Sequence, residues 1–132
     1  MPETGSIQRF AMAPAGAGGQ TLPFARAVRA GDFVYVSGQV AMRDGEIVAG
    51  GIVEQAKLTF DNIRQILQEA GCDLEDVVKV NVWLDDPRDF WSFNKVFADY
   101  FQHHPPARST VQSLIMVDAK IEADVIAYKP LP

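Results

Sequence analysis

Apolar residues in this chain follow two different spacings. Between Val53 and Ala70 they recur every three or four positions, at Val53, Ala56, Phe60, Ile63, Leu67 and Ala70. That period puts them on one face of a helix. Gly71 follows directly and suits the left-handed residue that closes a helix. A second stripe runs through Phe90, Phe93, Phe97 and Tyr100. Asp86 before it can accept from free backbone N–H groups, and Pro87 suits the first helical position, where its missing N–H is not needed. Pro105-Pro106 stops this helix, because proline lacks the donor and restricts the residue before it. Its aromatic stripe reads most simply as core.

Elsewhere the period falls to two. Phe33-Val34-Tyr35-Val36, bounded by Gly31-Asp32 and Gly38, predicts a strand. Asp44-Gly45 is a tight-turn pair, with Ile47-Val48 as the returning strand of a hairpin. Val77 to Leu84 is β-rich, with Val78, Val80, Val82 and Leu84 on one face and Lys79, Asn81 and Trp83 on the other. Ile7 to Met12 reads as an edge strand, Ala13 to Gly19 as a loop, and two last strands lie near Ser109 to Leu114 and Lys120 to Tyr128. The order strand, hairpin, helix, strand, helix, strand, strand predicts an α+β domain spanning 1–132, with two helices packed on one face of a mixed sheet. The other face keeps apolar residues such as Ile126 or Ile115, and no element is left to cover it. Self-association follows as an expectation.

Composition narrows the function. The formal charge is −5, which opposes sequence-independent binding to phosphate backbones, so nucleic acid is not an expected partner. Cys72 is the single cysteine and cannot form an internal disulfide. No apolar run approaches the roughly 20 residues of a membrane helix. The start, MPETGSIQRF, lacks the basic and apolar regions of a secretion signal. A cytoplasmic address is therefore expected. His103-His104 point in different directions on a helix and have no partner at a recognised ligand spacing, so no metal is expected; histidines at a helix C-terminus suit the dipole there. Gly16-Ala17-Gly18-Gly19 lacks the lysine of a phosphate loop. Cys72 has no basic sequence neighbour to lower its pKa, and Ser37-Gly38 lacks the surroundings of a nucleophilic serine.

Two places can carry chemistry. In Pro105-Pro106-Ala107-Arg108-Ser109-Thr110 a stiffened approach delivers an arginine to the start of a strand. A guanidinium presents paired donors that match a carboxylate; the alternative is a surface arginine held in a salt bridge. Glu122 and Asp124 share one face of the last strand with Ile126. An acidic pair leading into an apolar surface is either a solvated strand end or an interface site, where a partly buried carboxylate can act as general base or acid.

Ala30-Gly31-Asp32-Phe33-Val34-Tyr35-Val36-Ser37-Gly38-Gln39, Asp76-Val77-Val78-Lys79-Val80 and above all Pro105-Pro106-Ala107-Arg108-Ser109-Thr110-Val111 with Lys120-Ile121-Glu122 resemble the reactive intermediate deaminase (Rid/YjgF) family, also labelled "endoribonuclease L-PSP" or "translation initiation inhibitor". The likeness runs from about Leu22 to Tyr128. It implies a chorismate-mutase-like fold, a homotrimer with sites between subunits, and hydrolysis of enamines and 2-imino acids to 2-keto acids and ammonia without cofactor or metal. It implies that Arg108 binds the substrate carboxylate, that Glu122 positions the hydrolytic water, and that Ser37, Gly38 and Asn94 line the pocket. Phe24 stands where the family often has tyrosine, and Thr110 where many members have cysteine. Ser113 to Asp118 also lacks the Ala-Arg-Leu-Pro pattern of the typical branch, which marks a side branch. The expected partner is a small carboxylate-bearing metabolite. The rival functions are a non-enzymatic module binding such a metabolite, which Phe24 and Thr110 favour, and a ribonuclease.

Overall fold

The structure, a computed structural model, describes residues 7–12 and 22–132. The loop expected at Ala13 to Gly19 lies outside them. Along the chain come β1 (Ile7–Met12), β2 (Ala25–Ala30), β3 (Phe33–Gln39), β4 (Met42–Arg43), β5 (Glu46–Ile47), α1 (Ile52–Glu69), β6 (Val77–Leu84), α2 (Phe90–Phe101), β7 (Ala107–Gln112) and β8 (Ile121–Tyr128).

Six strands form one sheet in the order β1-β2-β3-β8-β6-β7, and β4 and β5 form a separate two-stranded ribbon. Only β6 and β7 run parallel among the described strands. A parallel pair needs a crossover, and α2 supplies it. Both helices pack on the face that carries Val34, Val36, Val80, Val82, Ile121, Ala123 and Val125. These join Phe60, Ile63, Leu67, Phe93 and Phe101 in one buried core. The arrangement is the α+β fold that the element order implied.

The helix stripes fall where their spacing put them. Ala56, Phe60, Ile63 and Leu67 are fully buried, Ala70 caps the end of α1, and Gly71 takes φ +83°. Asp86 accepts from the Arg88 N–H at 2.9 Å. It opens a short 3-10 turn, Pro87–Asp89, that runs on into α2.

Two expectations need correction, and one strand carries no signal in the sequence. Val78 does not share the inward face of β6: it is 44% exposed, and Val77 is buried in its place. An irregularity between Val77 and Lys79 in the pairing with β8 shifts the alternation there. The Asp44-Gly45 turn joins β4 to β5, not Phe33–Val36 to Ile47, since β3 pairs with β2 and β8. The strand without a signal is β2, whose Ala-Arg-Ala-Val-Arg-Ala sequence lacks a strand signature. Its inward positions are Ala25, Ala27 and the buried Arg29. The Arg29 guanidinium donates to the carbonyls of Lys129 (2.7 Å), Gly31 (3.2 Å) and Ala70 (3.4 Å). Its polar burial is thereby satisfied, and the end of α1 is tied to residues on either side of the sheet.

Candidate active site

The crossover β6-α2-β7 positions Arg108. In the parallel pairing Arg108 lies beside Val80 and Thr110 beside Val82. Val80 and Val82 face the helices, so Arg108 and Thr110 do too. The Arg108 guanidinium carbon sits 4.7 Å from the ring centre of Phe97, 5.2 Å from Phe93 and 5.7 Å from Phe90. The aromatic stripe of α2 is therefore core on one side and a platform for a cation on the other. Such cation–ring contact is worth about 0.5–2 kcal/mol. No ion pair or hydrogen bond of the Arg108 side chain forms among the described residues. The salt-bridge alternative is thus not what holds it. Burial pushes the guanidinium below its usual pKa, the mark of a cation partly withdrawn from water without a carboxylate in compensation.

Two further polar atoms are left open on this side. Asn94 lies one helical turn from both Phe90 and Phe97. Its Oδ1 and the Thr110 Oγ1 are buried without a hydrogen-bond partner among the described residues. Buried polar atoms are normally bonded; here Asn94 and Thr110 leave acceptors open on the same side of the sheet as Arg108. A cleft of about 250 Å³ opens beside Thr110, lined also by Phe90, Trp91 and Gln112; Arg108 and Asn94 are not in its wall.

Glu122 lies elsewhere. It sits between the buried Ile121 and Ala123 on β8 and pairs with Trp83 of β6, so it points from the helix-free face. It lines a cleft of about 170 Å³ with Trp83, Ser113, Leu114, Ile115 and Met116. Burial first, and the charge of Asp124 second, raise its carboxyl above the ordinary value. The bulge in the β3–β8 pairing between Val36 and Gln39 brings Gly38 against it. A Cβ added at Gly38 would collide with the Glu122 carboxylate, so the bare glycine is what lets the carboxylate approach this closely. The Ser37 hydroxyl donates to the Ala25 carbonyl at 2.6 Å, and Phe24, 44% exposed, immediately precedes β2.

Six of the seven expected site residues fall into two groups, and Phe24 stands apart ahead of β2. Arg108, Asn94 and Thr110 gather where α2 meets β7, on the helix side. Glu122, Gly38 and Ser37 gather at the β3–β8 bulge, with Glu122 on the opposite face. The sequence could not reveal this split, because it depends on β7 joining the sheet edge in parallel. Outside the site, Cys72 is buried with Arg29 Nη2 4.0 Å from its sulfur, a basic neighbour that sequence proximity did not show. Burial nonetheless dominates and pushes the thiol up, which keeps it a poor nucleophile. His104 at the end of α2 approaches Glu75 at 3.9 Å. No helix among the described residues is long and apolar enough to cross a membrane.

Comparison with known proteins bears on this geometry. The family model described as endoribonuclease L-PSP matches residues 16–129. A 2-iminobutanoate/2-iminopropanoate deaminase of Mus musculus is 39% identical over 110 residues, covering 81% of this chain and 82% of its own length. The mitochondrial protein MMF1 of Saccharomyces cerevisiae is 41% identical over 108 residues, covering 80% of this chain and 74% of its own. A crystal structure of E. coli TdcF with bound serine superposes with a TM-score of 0.78 at 31% identity, over 92% of this chain and 99% of that one. A family model spanning most of the chain, relatives near 40% identity and a shared fold agree: the chain belongs to the Rid/YjgF family, the one described as endoribonuclease L-PSP.

Proposed function

We propose that this protein hydrolyses 2-imino acids and their enamine tautomers to 2-keto acids and ammonia, at sites shared between copies of the chain in a homotrimer. The observation that carries the reading is Arg108, which rests on three aromatic rings with no carboxylate partner among the described residues. A guanidinium so held is pre-oriented for the planar carboxylate that every 2-imino acid bears. A deaminase named for 2-iminobutanoate and 2-iminopropanoate at 39% identity supports the reaction class, and serine bound to TdcF supports a small amino-acid-like ligand.

The chemistry asks little of the protein. With the substrate carboxylate on Arg108, Glu122 takes a proton from water. The hydroxide adds to the imine carbon, and the C=N π electrons move to nitrogen. Nitrogen takes the proton back from Glu122 to give the carbinolamine. Its hydroxyl proton then passes to nitrogen by way of Glu122 as the C–N bond breaks, the C=O of the keto acid forms and ammonia leaves. Imines are already electrophilic, so positioning and one proton relay are enough. A carboxyl raised by burial is a better base than a solvated one. Asn94 and Thr110 would satisfy their open polar atoms on the substrate, with Ser37 and Gly38 shaping the wall beside Glu122. Arg108 and Glu122 occupy opposite faces of one sheet, so a site holding both draws them from two copies. The helix-free face, with Phe33 and Tyr35 exposed, and the Leu114–Met116 stretch offer apolar surface for that contact.

A binding module without turnover is the second reading, favoured by Phe24 and Thr110. The deciding experiment is ammonia release from imines generated in place from several amino acids by an amino-acid oxidase. Acceleration over the uncatalysed rate is expected. Keto-acid binding without acceleration would leave the binding module standing.

A further inference from the structure

Glu122 has a companion that the proposed reaction does not use. Asp124 stands two residues along β8, on the same helix-free face. It is not a loose surface carboxylate: Asn81 lies directly across on β6 and donates from Nδ2 to Asp124 Oδ1 at 2.9 Å. The groups around Glu122 otherwise carry little charge. Ser37 and Gly38 approach from β3, with Tyr35 farther along opposite Ile126. Trp83 is the partner on β6. Lys79, also on β6, engages Ser109 of β7 at 3.1 Å. The cleft wall from Ser113 to Met116 is uncharged. Just before β8, Lys120 extends to Asp89 at 3.9 Å. Of all these, Asp124 is the charge acting on Glu122.

We propose that the Asn81–Asp124 pair is a positioning device for Glu122: Asn81 fixes a second negative charge beside it, so that Glu122 takes a proton from water more readily than a lone surface carboxylate would. Two carboxylates on one strand face repel, and the repulsion is relieved when one of them accepts a proton. Asp124 acts through Glu122 and touches no reacting atom in this scheme. The inference rests on the reading of Glu122 as the base, and its test is built to fail separately from that reading.

The test uses Asp124→Asn, which keeps the shape and the oxygen that accepts from Asn81 but removes the charge. In kcat/KM for ammonia release against pH, the acid limb is expected to move to lower pH and the plateau to fall severalfold, because a weaker base transfers the proton less readily. Asp124→Glu, which restores a charge, should return the limb towards wild type. Asn81→Ala keeps the charge but frees the side chain, and should give a smaller displacement in the same direction. An Asp124→Asn limb that stays in place, or an Asp124→Glu limb displaced just as far, overturns the proposal. An Asn81→Ala limb identical to wild type overturns the role given to Asn81. Should the wild-type protein release no ammonia, the deaminase reading fails. A ¹³C titration of the Glu122 carboxyl in ligand-free protein then decides the present inference alone: a midpoint lowered in Asp124→Asn upholds it, and an unmoved midpoint refutes it.

Discussion

Gly38 has no room for a side chain, because the carboxylate of Glu122 fills the space a Cβ would need. The obstruction is the far end of a flexible side chain and not backbone. Gly38→Ala is therefore expected to fold with nearly unchanged thermal stability while pushing the Glu122 carboxylate from its place. Ammonia release should fall at least tenfold with Tm within a few degrees of wild type. A variant of full activity would show that the carboxylate position is not critical.

Arg108 is assigned to binding, so its loss should weaken affinity and turnover together. A hydrogen bond to a charged group contributes roughly 1.5–3 kcal/mol, about ten- to a hundredfold in affinity. Arg108→Ala should lose that much in keto-acid affinity by calorimetry, and kcat/KM should fall at least as far. Arg108→Lys should recover only part, since an ammonium neither forks onto a carboxylate nor spreads over Phe93 and Phe97 as a guanidinium does. Equal function in the lysine variant would show that point charge, not planar geometry, holds the ligand.

Glu122 is assigned to water activation, and Glu122→Gln should separate the two functions. Keto-acid affinity should hold while the deamination rate drops about a hundredfold. Stability should move the other way. Because its folded pKa is raised, the carboxyl favours folding in its protonated form, and that contribution is lost as pH rises through the raised value. Glu122→Gln should therefore match or exceed wild type in Tm near pH 7–8, with the gap closing as pH falls towards the unfolded value. Calorimetric scans across pH would show it. A variant less stable at pH 8 than at pH 5, relative to wild type, would contradict the desolvation argument.

On the proposed function, the opposite-face placement of Arg108 and Glu122 makes assembly a condition of activity. Multi-angle light scattering at micromolar concentration should give three times the chain mass. A monomer would remove the shared site. Mixing Arg108→Ala with Glu122→Gln chains under exchange should restore part of the activity, because some interfaces then carry both intact residues.

Much of this was legible in the chain. The two helices followed from their spacing and end residues, Gly71 and Asp86-Pro87, because those signals are local. The family resemblance named Arg108 and Glu122 without knowing where either would point. What stayed hidden is non-local. The burial of Arg29 in β2 depends on carbonyls of Ala70 and Lys129, which are distant in sequence. The exposure of Val78 depends on a pairing irregularity with β8. The Arg108 platform required knowing that β7 lies beside β6 in parallel, with α2 overhead. Alternation within a strand says which residues share a face, but not which face the helices cover.

The central position of β8 has a consequence for how the molecule is made. β8 lies between β3 and β6, yet it follows both in the chain, with Val34 pairing to Ala127. As synthesis proceeds from the N-terminus, β1–β3 and the β6–β7 unit emerge before the strand that joins them. Each waits with an open edge, and neither can close the core that Val125 and Ala123 complete. Completion of the six-stranded sheet thus waits for β8. Contacts this far apart in sequence slow folding, and open strand edges are where nascent chains aggregate. The strand that carries Glu122 is thus also the one whose arrival closes the sheet.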